Sequence, residues 1–365
     1  AVVAADVAGV RASVRLVVAP GGGTRHVGAA ALDSAMLALL AERGQVGGGL
    51  AVMRRGRLVW ARGYGWADRD ARRPATDATI FRLFSVSKTI TATAVLRARD
   101  EGRLRLTDSA YVIHADAAPL PGMTEDPRMR GVRLEHLLWF SSGLRYSYPD
   151  PALDCWRGGT LGREGHLRCV RGLPLAFDPG TREEYTNDGS LVLARVLERV
   201  TGLPYDEYVR RQVLVPSGAT GIALQRPRIA DRPAQETRAY PDDWWARAGT
   251  RTAIEQFDGT GGWTGTPSMV LRYLRGVTGG GGHASLLADD SRALLTRRPS
   301  HAPPGTDGWL GPLFRPHRDG SGDRFEGSVR ARTAAACSSR TRPKASLSWP
   351  RSTRHRSTVG TSAPA

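Results

Sequence analysis

The sequence predicts an α/β protein of the α+β type, in which one antiparallel sheet is built from both chain ends and flanked by helices. Near the start, two runs rich in Val, Leu, Trp and Tyr, separated by Arg-Arg-Gly, predict a β-hairpin. The long middle shows helical spacing of apolar residues, and DRFEGSV near Phe325 predicts a late strand. The simplest packing joins the hairpin and the late strand in one sheet and leaves the middle as a mainly helical lobe.

Four segments justify the first half of this order. GQVGGG leads into LAVMRRGRLVWARGYGWAD, which supplies the two strands of the hairpin. SVSKTITATAVLRARDEG has helical spacing of Ile90, Val95 and Leu96 and predicts a helix that stops at Gly102. LEHLLWFSSGL predicts a short helix followed by a turn. Residues 145–180 hold many Gly, Pro and Asp and therefore predict a long irregular excursion.

The second half is interpreted as three helices before the late strand. PGTREEYTNDGSLVLARVLERVTG predicts a turn, a loop and a helix that ends at Gly202, and YDEYVRRQVLVPSG predicts another helix. TGGWTGTPSMVLRYLRG predicts a glycine loop that opens a helix, with Pro267 near the first turn, where proline is tolerated. No internal repeat interrupts this order, so we expect one domain over residues 26–329.

The composition fits a globular domain with a sizeable core. The chain has 365 residues, of which 41% are hydrophobic and 24% are charged. The net charge of +17 is unevenly placed, because residues 330–365 carry seven Arg and one Lys, hence +8, with no Asp or Glu. The sequence shows no basic stripe interleaved with aromatic residues and no nucleic-acid-binding signature. Nucleic acid is therefore not an expected partner.

No segment of the sequence predicts a membrane span. The longest apolar stretch, VGAAALDSAMLALLA from Val27, contains Asp33 and is too short to cross a bilayer. It predicts an amphipathic helix that ends near Gly44. Residues 1–25 lack the plan of a signal peptide and are expected to form a leader or linker. The sequence does not determine the oligomeric state.

Three cysteines are too few for a disulfide scaffold, and their spacing matches no metal-binding pattern. Cys155 and Cys169 lie in the irregular excursion, and Cys337 lies near the C-terminus. A bridge between Cys155 and Cys169 is expected if the protein is exported, and two free thiols are expected otherwise. The sequence leaves both states open, and it predicts neither a metal ion nor an organic cofactor.

The catalytic prediction starts from the rarity of lysine. Of the 52 basic residues, only Lys88 and Lys344 are lysines. If Ser-Val-Ser-Lys opens a helix, Ser85 and Lys88 lie one turn apart on the same face. A serine hydroxyl needs a base, and a buried lysine can lose its proton whereas arginine cannot. We therefore expect Ser85 to be the nucleophile and Lys88 its base; the alternative is a surface lysine at a chance spacing.

Four segments, in this order along the chain, resemble the serine β-lactamases and penicillin-binding proteins. They are FRLFSVSKTITATAVL, LEHLLWFSSGL, PGTREEYTNDGSLVLARVLERVTG and GTGGWTGTPSMVLRYL. The resemblance is strongest to the class C-like branch and its D-Ala-D-Ala carboxypeptidases and spans about residues 27–329. Phe140 and Ser141 stand where that family usually has His and Thr. The resemblance implies a β-lactamase/transpeptidase-like fold and acyl transfer to water through an acyl-enzyme.

The resemblance assigns a second catalytic element to Tyr185-Thr186-Asn187. It implies that Tyr185 shuttles a proton from Ser85 to the leaving group and that Asn187 hydrogen-bonds the amide of the substrate. Without the resemblance, a packed loop tyrosine and a helix-capping asparagine explain the same residues equally well.

The third element of that family, Lys-Thr-Gly or His-x-Gly on a strand beside the site, is incomplete here. Its place falls at Phe325-Glu326-Gly327-Ser328, where small residues allow close approach of the backbone but no cationic or imidazole side chain is present. The resemblance implies that the backbone N–H groups of Ser85 and Ser328 form the oxyanion hole and that Gly327 borders the substrate.

After Val329 the sequence stops resembling the family, and we interpret residues 330–365 as an atypical basic tail, frameshifted or disordered. The codons CCG GGC ACG GAC GGC encode Pro-Gly-Thr-Asp-Gly, and loss of one C gives Arg-Ala-Arg-Thr-Ala, the sequence from Arg330 to Ala334. Since relatives complete the sheet in this region, we expect a poorly stable or aggregating product. A genuine disordered tail is the alternative, and resequencing the gene distinguishes the two.

The functional prediction is a serine hydrolase that acts on a small molecule or a peptide: D-Ala-D-Ala-type peptides, β-lactams or small esters. The walls of the pocket, which the resemblance does not fix, would choose among these substrates. The alternative is a catalytically inactive penicillin-binding or peptidoglycan-interacting module, or a truncated pseudoenzyme. Because relatives mostly act outside the cytoplasmic membrane, a secreted or periplasmic location is expected.

Overall fold

An antiparallel sheet and a layer of helices around one central helix build the fold. The structure, a computed structural model, describes residues 2–7, 29–42, 44–145, 155, 161–238, 254–302, 310–313, 315–318, 323–326 and 335–338. The described α-helices, α1 to α10 in order, are Ala29–Glu42, Ser87–Asp100, Ala110–Ile113, Leu134–Leu138, Gly162–Arg171, Asp188–Thr201, Tyr205–Val209, Ile254–Gly261, Pro267–Thr278 and Asp289–Leu294. The described strands, β1 to β10, are Val2–Val7, Gly47–Arg54, Arg57–Asp68, Arg73–Pro74, Phe81–Arg82, Ala223–Leu224, Trp263–Gly265, Arg315–Arg318, Asp323–Glu326 and Ala335–Ser338.

Both chain ends contribute to the largest sheet, whose strand order is β10-β1-β2-β3-β4. Strand β1 pairs antiparallel with β2 on one side and with β10 on the other. The predicted hairpin is β2–β3, closed by Arg55 and Gly56, which both have positive φ as a tight two-residue hairpin turn requires. The predicted fold class, with an antiparallel sheet from both ends and flanking helices, is confirmed.

The glycine run before the hairpin belongs to strand β2 and not to a loop. A Cβ on Gly47 would lie 2.2 Å from the carbonyl oxygen of Trp66 on β3. A Cβ on Gly49 would lie 2.8 Å from the ring of Phe81. Since glycine alone permits these approaches, a composition typical of a loop here marks close packing of a strand.

The late strand differs from the prediction in its partner. Strand β9 pairs with β8 in a separate two-stranded hairpin, and β10 instead occupies the edge of the main sheet. The pairing of β9 is local, since β8 is its neighbour in the chain. Gly327 and Ser328 lie outside the described residues, so their predicted roles stay predictions. Of the predicted tail, the structure describes Ala335–Ser338, and the frameshift also stays a prediction.

The predicted irregular excursion over residues 145–180 contains a helix, so that prediction is wrong for α5. This helix buries His166, Leu167, Cys169 and Val170 and packs beside α6. The glycines and prolines around it dominated the composition of the segment, whereas burial of one face is what stabilises α5. The glycine loop before α9 likewise holds strand β7, which pairs with β5 and β6.

Helix α2 is the centre of the helical lobe, because eleven of its fourteen residues are buried. The hydroxyl groups of its buried threonines have hydrogen-bond partners. The hydroxyl of Thr93, for example, donates to the carbonyl oxygen of Thr89 at 2.9 Å. The ends of two other helices fall where the sequence predicts them. Helix α1 ends before Gly44, and α6 ends at Gly202, which has a φ of 70°. None of the helices in the described ranges is long and apolar enough to cross a membrane.

Candidate active site

The turn from β5 into α2 presents Ser85. Phe84, Ser85 and Val86 form one 3-10 turn directly before α2, and Phe84 has a φ of 44°. This left-handed conformation costs roughly 1–2 kcal/mol for a residue with a side chain. The turn is held from behind, since the N–H of Leu83 donates to the carbonyl oxygen of Trp263 on β7 at 2.8 Å. Ser85 therefore sits at the N-terminal end of a buried helix, on a turn fixed by a neighbouring strand.

Lys88 lies one helical turn further on, and the structure brings it to Ser85 as the sequence predicts. Its Nζ is 3.2 Å from Oγ of Ser85. The lysine is only 5% exposed, so the alternative of a surface lysine is wrong. Two acceptors also surround the amine: Oδ1 of Asn187 at 2.7 Å and the carbonyl oxygen of Thr260 at 3.2 Å.

The contacts of Lys88 match a neutral amine. A neutral amine has two N–H groups and one lone pair, and the oxygens of Asn187 and Thr260 act only as acceptors. If both N–H groups are used there, the lone pair is left for the hydroxyl proton of Ser85. Burial lowers the pKa of Lys88 well below its ordinary value, and the negative charge of Asp188 opposes this only in part. Burial therefore favours the neutral amine, the form in which Lys88 accepts the hydroxyl proton of Ser85.

Tyr185 approaches Ser85 from the other side, with its hydroxyl 2.7 Å from Oγ. The same hydroxyl lies 3.3 Å from Oδ1 of Asn187. The ring stacks on Phe140, with 5.3 Å between the centroids and 14° between the planes, and Nζ of Lys88 lies 5.0 Å from its centroid. The tyrosine ring is thus held between an aromatic partner and a lysine. Its hydroxyl lies beside Oγ of Ser85, where it can exchange a proton.

Asn187 precedes α6 in the N-cap position, yet its side chain makes no capping hydrogen bond. Its Oδ1 instead accepts from Lys88, from the hydroxyl of Thr260 at 3.2 Å and from Tyr185. The alternative of a helix-capping asparagine is therefore not what the structure shows. The side chain joins three elements, namely α2, the loop before α6 and the end of α8.

A buried polar pair supports the loop that carries Tyr185 and Asn187. Asp188 is 1% exposed, and its Oδ1 lies 2.9 Å from Nε2 of His166 on α5. The hydroxyl of Thr186 lies 3.3 Å from the second carboxylate oxygen and accepts the N–H of Asp188 at 3.2 Å. These contacts fix the turn between the loop and α6.

The disulfide that the sequence left open is formed in the structure. Cys155 and Cys169 are bonded, with their Cα atoms 5.5 Å apart and both residues buried. Because Cys169 lies on α5, the bridge ties residue 155 to the helix that carries His166. No group of three or more His, Cys, Asp or Glu side chains within the described ranges could hold a metal ion.

Sequence reasoning missed four residues that complete the site: Phe140, His166, Asp188 and Thr260. Thr260 lies in the GTGGW segment, but nothing in that segment marks its hydroxyl or its carbonyl as a partner of Lys88. Phe140 was visible only as a departure from the family pattern. His166 carries no local signal, because its partner is 22 residues away in the chain and on another helix.

Comparison with known proteins identifies the family of the chain. A family model described as Beta-lactamase matches residues 32–331 of the chain. Esterase EstB of Burkholderia gladioli is 34% identical over 204 residues, which are 52% of this chain and 50% of the esterase. A D-aminopeptidase of Gluconobacter oxydans is 29% identical over 243 residues, which are 64% of this chain and 42% of that enzyme. The chain thus spans about half the length of the curated relatives it matches.

A solved structure shares the fold. EstCE1, described as a hydrolase with promiscuous acyltransferase activity, superposes with a TM-score of 0.62 at 23% identity. The superposition covers 81% of this chain and 82% of EstCE1. Because the family model matches more than half of the chain, the chain belongs to the Beta-lactamase family.

Proposed function

We propose that this member of the Beta-lactamase family is a serine hydrolase that works through an acyl-enzyme on Ser85. The observation that carries the proposal is the position of Lys88, buried and 3.2 Å from Oγ of Ser85 with two acceptor-only oxygens at its N–H groups. A lysine placed in this way serves as a base at neutral pH, where a solvated lysine holds its proton.

In the acylation step, Oγ of Ser85 attacks the carbonyl carbon of the substrate and its proton passes to Lys88. A tetrahedral oxyanion forms, and its negative charge is favoured at the N-terminal end of α2, near the backbone N–H of Ser85. The same proposal takes the backbone N–H of Ser328 as the second hydrogen-bond donor to this oxyanion. When the bond to the leaving group breaks, Tyr185 donates its hydroxyl proton to that group, which departs neutral.

The deacylation step reverses these roles. A water molecule attacks the carbonyl carbon of the acyl-enzyme, and its proton passes to the Tyr185 phenolate. The ester bond to Oγ breaks, and Ser85 recovers the proton that Lys88 took up in acylation. The products are the free acid and the neutral leaving group, and the enzyme returns to its first state.

The substrate is proposed to be a D-Ala-D-Ala-type peptide, a β-lactam or a small ester. Relatives with similar sequences carry the names esterase, D-aminopeptidase and beta-lactamase. All three names describe acyl transfer from a carbonyl group to water, which one serine, one base and one proton donor perform. Small esters are the first substrates to assay, because their good leaving groups make the fewest demands on binding.

An extracytoplasmic location, secreted or periplasmic, is part of the proposal. The bonded pair Cys155–Cys169 supports it, since disulfides persist in oxidising compartments and are rare in the cytosol. The proposal includes no nucleic-acid partner.

Mass spectrometry of the intact protein tests the proposed function. We expect a covalent adduct with a labelled penicillin, or turnover of p-nitrophenyl acetate, and loss of both in Ser85→Ala. Ser87→Ala is the matched control, because Ser87 is the next serine in the same turn and accepts the N–H of Trp263 instead. If folded wild-type protein gives neither adduct nor turnover, the chain is the inactive module of the alternative prediction.

A further inference from the structure

We propose that Asp188 is a positioning residue whose buried carboxylate, held by His166, stabilises Lys88 when the lysine takes up the proton of Ser85. The inference deepens the proposed function and rests on it. It assigns a role to a residue outside the Ser85, Lys88 and Tyr185 set, the first residue of α6.

The structure places the carboxylate of Asp188 next in the chain to the residue that contacts the base. Asp188 follows Asn187, whose Oδ1 lies 2.7 Å from Nζ of Lys88. At 1% exposure the carboxylate depends on protein donors, and His166 and Thr186 supply them. The carboxylate is held by His166 on α5 and by Thr186 in the loop before α6. It therefore keeps one position while protons move.

The chemistry of Lys88 requires such a charge. During acylation the amine becomes an ammonium group in a site that is 5% exposed, and burial of an uncompensated cation is strongly unfavourable. Burial lowers the pKa of Lys88, and the charge of Asp188 raises it. Burial has the larger effect and favours the neutral amine, and Asp188 reduces the penalty of the charged state that follows.

His166 has its own part in this arrangement. It is 3% exposed on α5, and its Nε2 lies 2.9 Å from Oδ1 of Asp188, so it holds the carboxylate in place. The other titratable groups that respond to this region are Lys88 on α2 and Tyr111 on α3. Burial raises the pKa of Tyr111 and the charge of Asp188 raises it further, whereas Arg171 on α5 lowers it. The charge of Asp188 therefore acts on one side chain of α2 and one of α3.

The scarcity of lysine makes the test direct. Protein labelled with 13C-lysine contains two labelled residues, Lys88 and Lys344. An NMR pH titration follows both signals, and the variant Lys344→Arg identifies the signal of Lys88. In Asp188→Asn we expect the titration midpoint of Lys88 to fall by about one pH unit, because a nearby opposite charge has been removed. The matched control is Asp258→Asn, which removes an equally buried carboxylate that pairs with Arg195; here the midpoint is expected to stay.

The readout needs no catalysis, so it separates failure of this inference from failure of the proposed function. An unchanged midpoint in folded Asp188→Asn overturns the inference, because a merely structural role leaves the charge on Lys88 unaffected. If that variant does not fold, Asp188→Asn/His166→Gln retains a hydrogen bond between two amides and removes the carboxylate. The same fall in the midpoint is expected there, and its absence overturns the inference equally. Where turnover is measurable, the acid limb of kcat/KM should move with the midpoint.

Discussion

Nζ of Lys88 and Oδ1 of Asn187 lie 2.7 Å apart, although 99 residues separate them in the chain. The contact joins the first turn of α2 to the start of α6. Since the amide oxygen acts only as an acceptor, it holds one N–H of the amine and leaves the lone pair of Lys88 for Ser85. The proposed base is thus defined by a contact between two helices rather than by the Ser-x-x-Lys spacing alone.

The first prediction concerns the replacement of Lys88 by arginine. Lys88→Arg should lose roughly 10³-fold or more in kcat/KM on p-nitrophenyl acetate, nearly as much as Lys88→Ala, because arginine keeps the charge but does not release its proton. Thermal unfolding of both variants serves as the control for folding. An arginine variant that retains most of the activity would refute the role of a neutral amine.

Replacement of Tyr185 by phenylalanine tests the proton shuttle. The variant keeps the stack on Phe140 and loses only the hydroxyl, which lies 2.7 Å from Oγ of Ser85. We expect kcat to fall roughly 10²- to 10⁴-fold, the usual range for loss of a proton donor. Tyr64→Phe is the control, since it removes a phenol on β3 that bonds Asp33 on α1. Equal activity of the two variants would exclude Tyr185 from proton transfer.

A third prediction concerns Thr260. Thr260→Val retains the backbone carbonyl that accepts from Lys88 and removes the hydroxyl that bonds Asn187. Because one hydrogen bond that orients Asn187 is lost, kcat/KM should fall roughly tenfold with little change in stability. Thr264→Val, which loses a bond to the carbonyl oxygen of Ala223, should leave kcat/KM unchanged. If kcat/KM changes equally in both valine variants, the hydroxyl of Thr260 does not orient Asn187.

The stability of the protein should carry the signature of a buried lysine. The folded pKa of Lys88 lies well below its ordinary 10.5, so between these two values the unfolded chain binds more protons than the folded one. The free energy of unfolding therefore rises with pH across this window, by at most about 1.4 kcal/mol per pH unit. This gain in stability is lost again as pH falls toward the folded pKa of Lys88. Lys88→Met should lack this slope. Urea unfolding at pH 7, 8 and 9 measures the free energy of unfolding of the wild type and of Lys88→Met. If the two proteins show the same dependence on pH, the low pKa of Lys88 is contradicted.

The disulfide gives a prediction on stability alone. Cys155→Ser/Cys169→Ser should lower the free energy of unfolding by about 3 kcal/mol, since a bridge over 14 residues restricts the unfolded chain. Urea unfolding with and without a reductant provides the measurement. The wild-type protein should be weakened by the reductant and the double variant should not, although both retain Cys337. Insensitivity of the wild type would mean that the bridge contributes no stability.

Local patterns predicted those parts of the fold whose signals lie within one segment. The Arg55–Gly56 turn fixed the register of the hairpin, and Gly202 ended α6, because positive φ at these positions is a local requirement. Helix α5 escaped prediction, since its stability comes from burial beside α6 and not from its composition. The sequence did not place Gly47 and Gly49 in strand β2, because the close approach of β3 and Phe81 is visible only in three dimensions.

The sequence by itself predicted the proposed nucleophile and its base, because a serine and a rare lysine one helical turn apart indicate a chemistry that arginine does not perform. It also indicated Tyr185 and Asn187, through resemblance. Only the tertiary structure decided that Asn187 and Thr260 contact the lysine, and that Phe140 stacks on the tyrosine. A pKa depends on burial and on neighbouring charges, and these neighbours come from helices that are distant in the chain and meet only when it folds.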